Sequence, residues 1–319
     1  MRTLIMKNQH KEGLRQKSKK ERAKRSNSDK IFDGVIFVIL TIVLLIVAYP
    51  LYFIIISSFS DPAAVAGGNV TWRPIGFTLD GYEAVFKEEN VMRGFLNSII
   101  YTTVGVLINL GVTIPTSYAL SREDFFGKKA VTIFYLITMF ISGGLMPTYL
   151  VVQSLGMINT MWALVVPGAL SVYNMIVART FFKTNLPLEL LESAKLDGCG
   201  NTKFFIHIAL PLSGPIIAIL VLFYGIGHWN SYFSGLLYII DQEKFPLQLV
   251  LRNILINNAL RQTQSILTEE ALKEAERLRQ VTELMKYSLI IVSSIPVMIL
   301  YPFIQKHFVK GVMLGSVKG

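Results

Sequence analysis

Charge is scarce in this chain. Only 16% of its 319 residues are Asp, Glu, Lys or Arg, while 52% are hydrophobic. That balance excludes an ordinary soluble domain and points to an integral membrane protein. Cysteine is nearly absent: Cys199 is the one thiol, so no internal disulfide can form, and it reads as a small residue in a tight turn. Histidine is sparse too. His10, His207, His228 and His307 are scattered along the chain, whereas a metal site needs clustered ligands. His228 falls inside an apolar run and reads as a hydrogen-bonding group between helices. A phosphate-cradling loop is missing too. Asp197-Gly198-Cys199-Gly200-Asn201-Thr202-Lys203 is glycine-rich and ends in lysine, but it lacks the G-x-x-x-x-G-K-[ST] spacing and no strand precedes it. Ser142-Gly143-Gly144 lies in an apolar run. The chain therefore reads as no enzyme: it has no ATP site, no metal site and no catalytic constellation of its own.

What the chain does have is long uncharged stretches. They run between Asp33 and Asp61, Arg93 and Arg122, Lys129 and Arg179, Lys203 and Asp241, and Lys286 and Lys306, with lengths of 27, 28, 49, 37 and 19 residues. A membrane-crossing helix needs roughly 20 apolar residues, and the stretch of 49 holds two. The expected architecture is an all-α integral membrane protein with six transmembrane helices, near residues 31–56, 94–120, 130–152, 160–181, 212–240 and 287–304. Gly143-Gly144 and Pro147 should break the third span, and Pro167-Gly168 should kink the fourth. Asn97, Asn109 and Pro115 in the second span are polar or kinking groups that should face the interior of the bundle. Leu79-Asp80-Gly81-Tyr82 opens a short amphipathic helix at the membrane surface.

Net charge is +10, and residues 1–30 hold most of it, with 11 Lys/Arg against 3 Asp/Glu. Such an arm often signals nucleic acid. Here it directly precedes an apolar span, so it reads as a mobile cytoplasmic arm, 1–30, ahead of a membrane domain, 31–319, with no role for nucleic acid. It also suits contact with anionic lipid headgroups. The apolar run after it is too long for a signal peptide, and no small-residue cleavage site is evident. The segments 58–93 and 241–285 carry acid excess, 5 against 3 and 7 against 6. The arm, the 121–129 loop, the 179–211 loop and the tail carry the Lys/Arg excess. By parity both termini face the cytoplasm.

The most informative stretch is Glu192 to Pro211, a polar island between two apolar runs. It reads E-S-A, three residues, Gly198, nine residues, Ile208, one residue, Leu210-Pro211. Leu188 to Lys195 suits a short helix behind Pro187. Asp197-Gly198 offers a turn at positive φ, and a second short helix can follow from about Thr202. This spacing resembles the loop of permease subunits in binding-protein-dependent ATP-driven importers, E-A-A…G…I-x-L-P; Ser193 stands where that pattern has Ala. The bland alternative is an ordinary solvated loop, and the spacing argues against it.

The resemblance extends over residues 31–319 and implies the type I ABC importer permease fold. It is closest to the maltose-type sugar-importer permeases. Gly143-Gly144-Leu145-Met146-Pro147-Thr148-Tyr149-Leu150 and the Gly311–Gly319 tail look most like the oligosaccharide, lipoprotein/polygalacturonan-type branch. The resemblance implies a multi-pass subunit of the bacterial cytoplasmic membrane. Its partners would be a second homologous permease, two ATPase subunits that carry the ATP and Mg, an extracytoplasmic solute-binding protein and a carbohydrate. Glu192, Ser193, Ala194, Gly198, Ile208, Leu210 and Pro211, within a cytoplasmic loop 183–211, would couple to the ATPase. Trp229, Asn230 and Tyr232 suit stacking on sugar faces and hydrogen bonding to hydroxyls, although an aromatic belt at the membrane interface accounts for them equally. Asn253, Asn257 and Asn258, in the external segment 241–285, would reach the binding protein. Two alternatives stand beside the sugar importer: the same machine with an amino acid or peptide cargo, and an ATPase-independent scaffold or channel.

Overall fold

The computed structural model describes residues 27–261 and 269–316. The basic arm up to residue 26, residues 262–268 and the last three residues lie outside the described residues, as do the side chains of Asn257 and Asn258. Among the described residues the chain is helical and contains no strand.

The helices are α1 (Asn27–Ser58), α2 (Pro62–Ala66), α3 (Asp80–Lys87), α4 (Glu89–Ser121), α5 (Lys128–Phe140), α6 (Leu145–Ser154), α7 (Trp162–Val165), α8 (Val172–Asn185), α9 (Leu188–Leu196), α10 (Asn201–Phe204), α11 (Leu210–Leu212), α12 (Gly214–Trp229), α13 (Tyr232–Tyr238), α14 (Leu247–Arg261) and α15 (Glu269–Ser316). Two units are distinct, residues 1–54 and 55–319. The first holds most of α1, whose most apolar window has a mean hydropathy of 3.0. The consecutive residues Val35, Ile36, Phe37, Val38, Ile39 and Leu40 are all exposed, so every side of the helix is open, as befits a helix whose solvent is lipid.

The second unit is built around α4. Its buried residues include Gly94, Ser98, Tyr101, Gly105, Asn109, Thr113 and Ser117, which recur at intervals of three and four and so line one face. The stripe is small or polar, the composition that lets membrane helices approach closely and hydrogen-bond across the gap. A Cβ on Gly94 would come within 3.0 Å of Val250 Cγ2 on α14, and one on Gly105 would overlap the His228 ring on α12. Pro115, by contrast, is exposed, so it does not join Asn109 on the interior face.

Among the described residues three helices are long and apolar enough to cross a membrane: α1, α4 and Arg279–Pro302 within α15. Two bent pairs qualify together. The first, α5 with α6, turns through 115° at Gly143-Gly144, where Gly144 adopts φ +87°, so the expected break is present. The second turns through 76° at Ser213, between the α10–α11 segment and α12. The expected fourth span is divided rather than kinked. α7 ends at Val165, and α8 starts at Val172 behind Ser171, whose Oγ accepts from Asn174 N. Pro167 has no N–H to give a helix ladder, and Asn109 satisfies the carbonyls that the break leaves open.

Other boundaries also differ from expectation. The run 212–240 is not one span: α12 stops at Trp229, and α13 begins after Asn230-Ser231. Segment 241–285 is largely helical on either side of residues 262–268. Its α14 packs on α4 and α15, with Leu247, Leu249 and Val250 buried, and α15 runs without interruption from Glu269 through Pro296 and Pro302. The short helix α3 forms as expected but is no bare surface helix: a Cβ on Gly81 would meet Ser288 and Leu284 of α15.

Candidate functional site

The Glu192–Pro211 island folds as helix, turn, helix. Pro187 precedes α9, and Asp197 follows it. Gly198 takes φ +75°. Its N–H donates to Lys195 O at 3.0 Å, and Cys199 N–H donates to Ala194 O at 2.9 Å. This pair of bonds closes the helix end around a left-handed residue, the conformation glycine adopts at least cost. The chain then enters α10, widens into a π turn over Phe205–Ala209, and passes Pro211 to Ser213. There Ser213 Oγ donates to Ala209 O at 2.5 Å.

One face of this loop is anchored. Leu191, Ala194, Phe204 and Ala209 are buried with Ile114 and Tyr118 of α4 and with Ala178 and Phe182 of α8. Tyr118 meets Phe182 edge-on, ring centroids 5.6 Å apart, and Phe205 at 4.9 Å. Ile208 and Leu210 pack against the same cluster. The other face is open: Glu192, Ser193, Gly198 and Pro211 are exposed. Ser193 turns its hydroxyl back to Leu190 O at 3.1 Å, so its departure from the E-A-A pattern disturbs no packing. The residues predicted to couple are thus brought together, with Ala194, Ile208 and Leu210 as anchors and Glu192, Ser193, Gly198 and Pro211 as surface.

An open cleft of about 520 Å³ lies beside α9, lined in part by Tyr118, Arg122, Asp124, Leu191, Glu192 and Lys195. Asp124 accepts from Arg122 and Lys195 there. The hydrogen bond from Arg122, seconded by Lys195, lowers its pKa from 3.8 to about 2. A carboxylate held below its usual value stabilises the fold above about pH 4, and that contribution fades as pH falls towards 2. The melting difference between wild type and Asp124→Asn is therefore expected to be present at neutral pH and to shrink between pH 4 and 2. A pH-independent difference would contradict the pairing.

The residues predicted for substrate contact separate. Trp229 does not line a path: it is 5% exposed, its Nε1 donates to Ser293 O at 2.9 Å, and its ring meets Phe95 edge-on at 5.7 Å. Its amphipathic side chain completes the core between α4, α12 and α15. Asn230 and Tyr232 are exposed at the α12–α13 break, and Gln248 approaches Asn230 Oδ1 at 3.5 Å. Asn253 is half-buried on α14, accepting from Arg252 at 3.4 Å. Asn257 lies in α14 and Asn258 beside it, so both stand on a helix rather than a reaching loop.

A polar cluster inside the bundle escaped the sequence reading except for Asn109 and His228. Asn109 Nδ2 donates to Gly168 O at 2.7 Å and Ala169 O at 2.9 Å, while its Oδ1 lies 2.7 Å from His228 Nε2. Both amide protons are spent, so His228 Nε2 must carry the hydrogen. Beside it Tyr224 Oη is 2.7 Å from Thr113 Oγ1 and accepts from Ser171 N at 3.1 Å. The four-residue recurrence of Gly105, Asn109, Thr113 and Ser117 was the available signal. Outside the bundle, Asn159 adopts φ +61° and accepts from Ile240 N and Asp241 N, fixing the end of α13.

A discontinuous all-α membrane bundle with a helix–turn–helix loop standing on its second and fourth segments defines a class, the permease of a type I ABC importer. A chain of a bacterial ABC transporter involved in the import of the acidic polysaccharide alginate superposes with a TM-score of 0.80 at 29% identity, covering 89% of this chain and 98% of its own. The polygalacturonan/rhamnogalacturonan transport system permease YtcP of Bacillus subtilis is 37% identical, spanning 91% of this chain and 99% of itself. Protein LplC of the same organism is 39% identical over 92% and 97%. No protein-family model matches the chain. The chain belongs to the family of permease subunits of sugar ABC transport systems.

Proposed function

We propose that this subunit imports acidic oligosaccharides by alternating access, driven by a separate ATPase docked on the Glu192–Pro211 loop. The observation that carries the coupling is the loop itself: one face packed into the α4–α8 core, the opposite face open, and a glycine-locked turn between them. Such a surface receives a partner and passes its movement into the bundle. On this reading ATP and Mg reside on two ATPase subunits, a second permease completes the path, and an extracytoplasmic binding protein delivers substrate. Both termini face the cytoplasm, as the charge distribution supports.

The substrate class rests on the relatives, whose names speak of polygalacturonan, rhamnogalacturonan and alginate. All are uronate-bearing chains. Within this subunit Asn230 and Tyr232 remain the candidates for contact with sugar, and Asn253, Asn257 and Asn258 for the binding protein. The test is ATP-driven uptake by the reconstituted complex across galacturonate, alginate and neutral oligosaccharides, amino acids and peptides. Uptake confined to uronate oligosaccharides is expected. Preferred uptake of amino acids or peptides would overturn the substrate class, and uptake without ATP would overturn the coupling.

A further inference from the structure

The junction between α4 and α5 carries an arrangement that the docking reading does not use. Arg122 is the first residue past α4, and its side chain is only 11% exposed. Its guanidinium lies 5.8 Å from the Tyr118 ring centroid, and Nη1 donates to Tyr118 Oη at 3.3 Å. The same guanidinium holds Asp124 with two bonds, Nε to Oδ1 at 3.0 Å and Nη2 to Oδ2 at 2.6 Å. Two more cations fix the backbone where α4 ends. Arg179 Nε donates to Leu120 O at 3.0 Å, and Lys128 Nζ donates to Arg122 O at 3.2 Å and Glu123 O at 3.3 Å. Leu120 O and Arg122 O are carbonyls that the helix end leaves without partners, and Glu123 O follows just past the cap.

The result is a rigid bracket with one carboxylate oxygen facing outward. Lys195 Nζ of α9, 71 positions along the chain, donates to that Oδ2 at 3.2 Å. Lys195 sits in the last turn of α9, just before the Gly198 turn. We infer that Asp124 is a positioning residue that locks the docking helix to the α4–α5 junction, so that the two move as one body. The bland reading is a surface ion pair. Asp124 and Lys195 are each nearly half exposed, and such pairs contribute little when both partners are mobile. Here one partner is held bidentate by a largely covered arginine that lies over the Tyr118 ring, which removes most of the ordering cost on that side. The inference rests on the docking reading for its purpose, but its geometry is testable without it.

The test places spin labels on Phe126→Cys and Glu189→Cys in a Cys199→Ser background, in the whole complex and in the permease alone. Phe126 is fully exposed at the tip of the bracket, and Glu189 is exposed in the first turn of α9. Each parent should give one narrow distance distribution, unchanged by ATP with vanadate. Asp124→Asn and Lys195→Met should each widen it about twofold, the double variant by no more than either single, and Lys195→Arg should keep it narrow. A pair acting through one bond shows this non-additivity. An Asp124→Asn distribution as narrow as the parent, a double variant that compounds the singles, or a parent distance that shifts with nucleotide would overturn the inference. Failure of any ATPase to copurify would count against the docking reading instead, and the permease-alone arm would still decide the lock.

Discussion

Gly198→Val is expected to abolish coupled import while leaving the bundle folded. Gly198 sits at φ +75°, where a β-branched residue is strained by about 1–3 kcal/mol. Beyond its two chain neighbours no described atom lies within 4 Å of an added Cβ, so the penalty is one of backbone conformation and not of bulk. The strain is relieved by opening the turn, which breaks the bonds from Gly198 N to Lys195 O and from Cys199 N to Ala194 O. α9 then loses its fixed end, and the surface offered to the ATPase changes shape. Gly198→Asn provides the contrast, because asparagine tolerates the left-handed region. Import per ATP should fall more than about tenfold for valine, roughly the energy of one broken turn, and should stay near wild type for asparagine. Equal rates for valine and wild type would show that the turn is not needed.

Asn109→Leu is expected to be the most damaging single change inside the bundle. Leucine matches the volume but orphans three groups at once: the Gly168 and Ala169 carbonyls and the His228 Nε2 proton. Asn109 is fully buried, so water does not replace it freely. A buried group stripped of its partner costs about 1–3 kcal/mol, although membrane hydrogen bonds measure at the low end, near 0.6. Taken together the loss is about 2–3 kcal/mol, or a melting temperature lower by roughly 5 °C. The break between α7 and α8 should loosen with it, because Asn109 is what satisfies that irregular backbone from α4. A melting temperature within 1 °C or so of wild type would show that the break holds itself.

The contrast between these two sites explains how far the sequence could be read. The docking loop is local: its helix former, its turn glycine and its proline stand within about twenty residues, so spacing alone specified the shape. The break at Gly143-Gly144 was legible for the same reason. The Asn109 cluster was not, because its partners lie 59, 60 and 119 positions away, and no local pattern states which carbonyls a buried amide will meet. Trp229 failed differently. An indole next to Asn230 near a span end suits a sugar path or an interface belt by composition, and only the facing Phe95 and Ser293 turn it inward. The amides of the Phe245–Asn258 stretch interrupt its apolar pattern and hide a packed helix, yet Leu247, Leu249 and Val250 suffice to seat α14 on its neighbours. Asp124 and Lys195 stand 71 positions apart, so no local pattern pairs them either.

The most direct measurement uses the chain's own single cysteine. Cys199 follows Gly198 in the turn and is partly exposed. A photoactivatable cross-linker attached there before assembly, in otherwise unaltered protein, probes the loop without engineering. If the loop is the docking surface, illumination of the assembled complex will join this subunit to the ATPase, and ATPase withheld from the assembly will leave it unlinked. An assembled complex that hydrolyses ATP and imports substrate, yet gives no cross-link from Cys199 to the ATPase, would contradict the account at its centre.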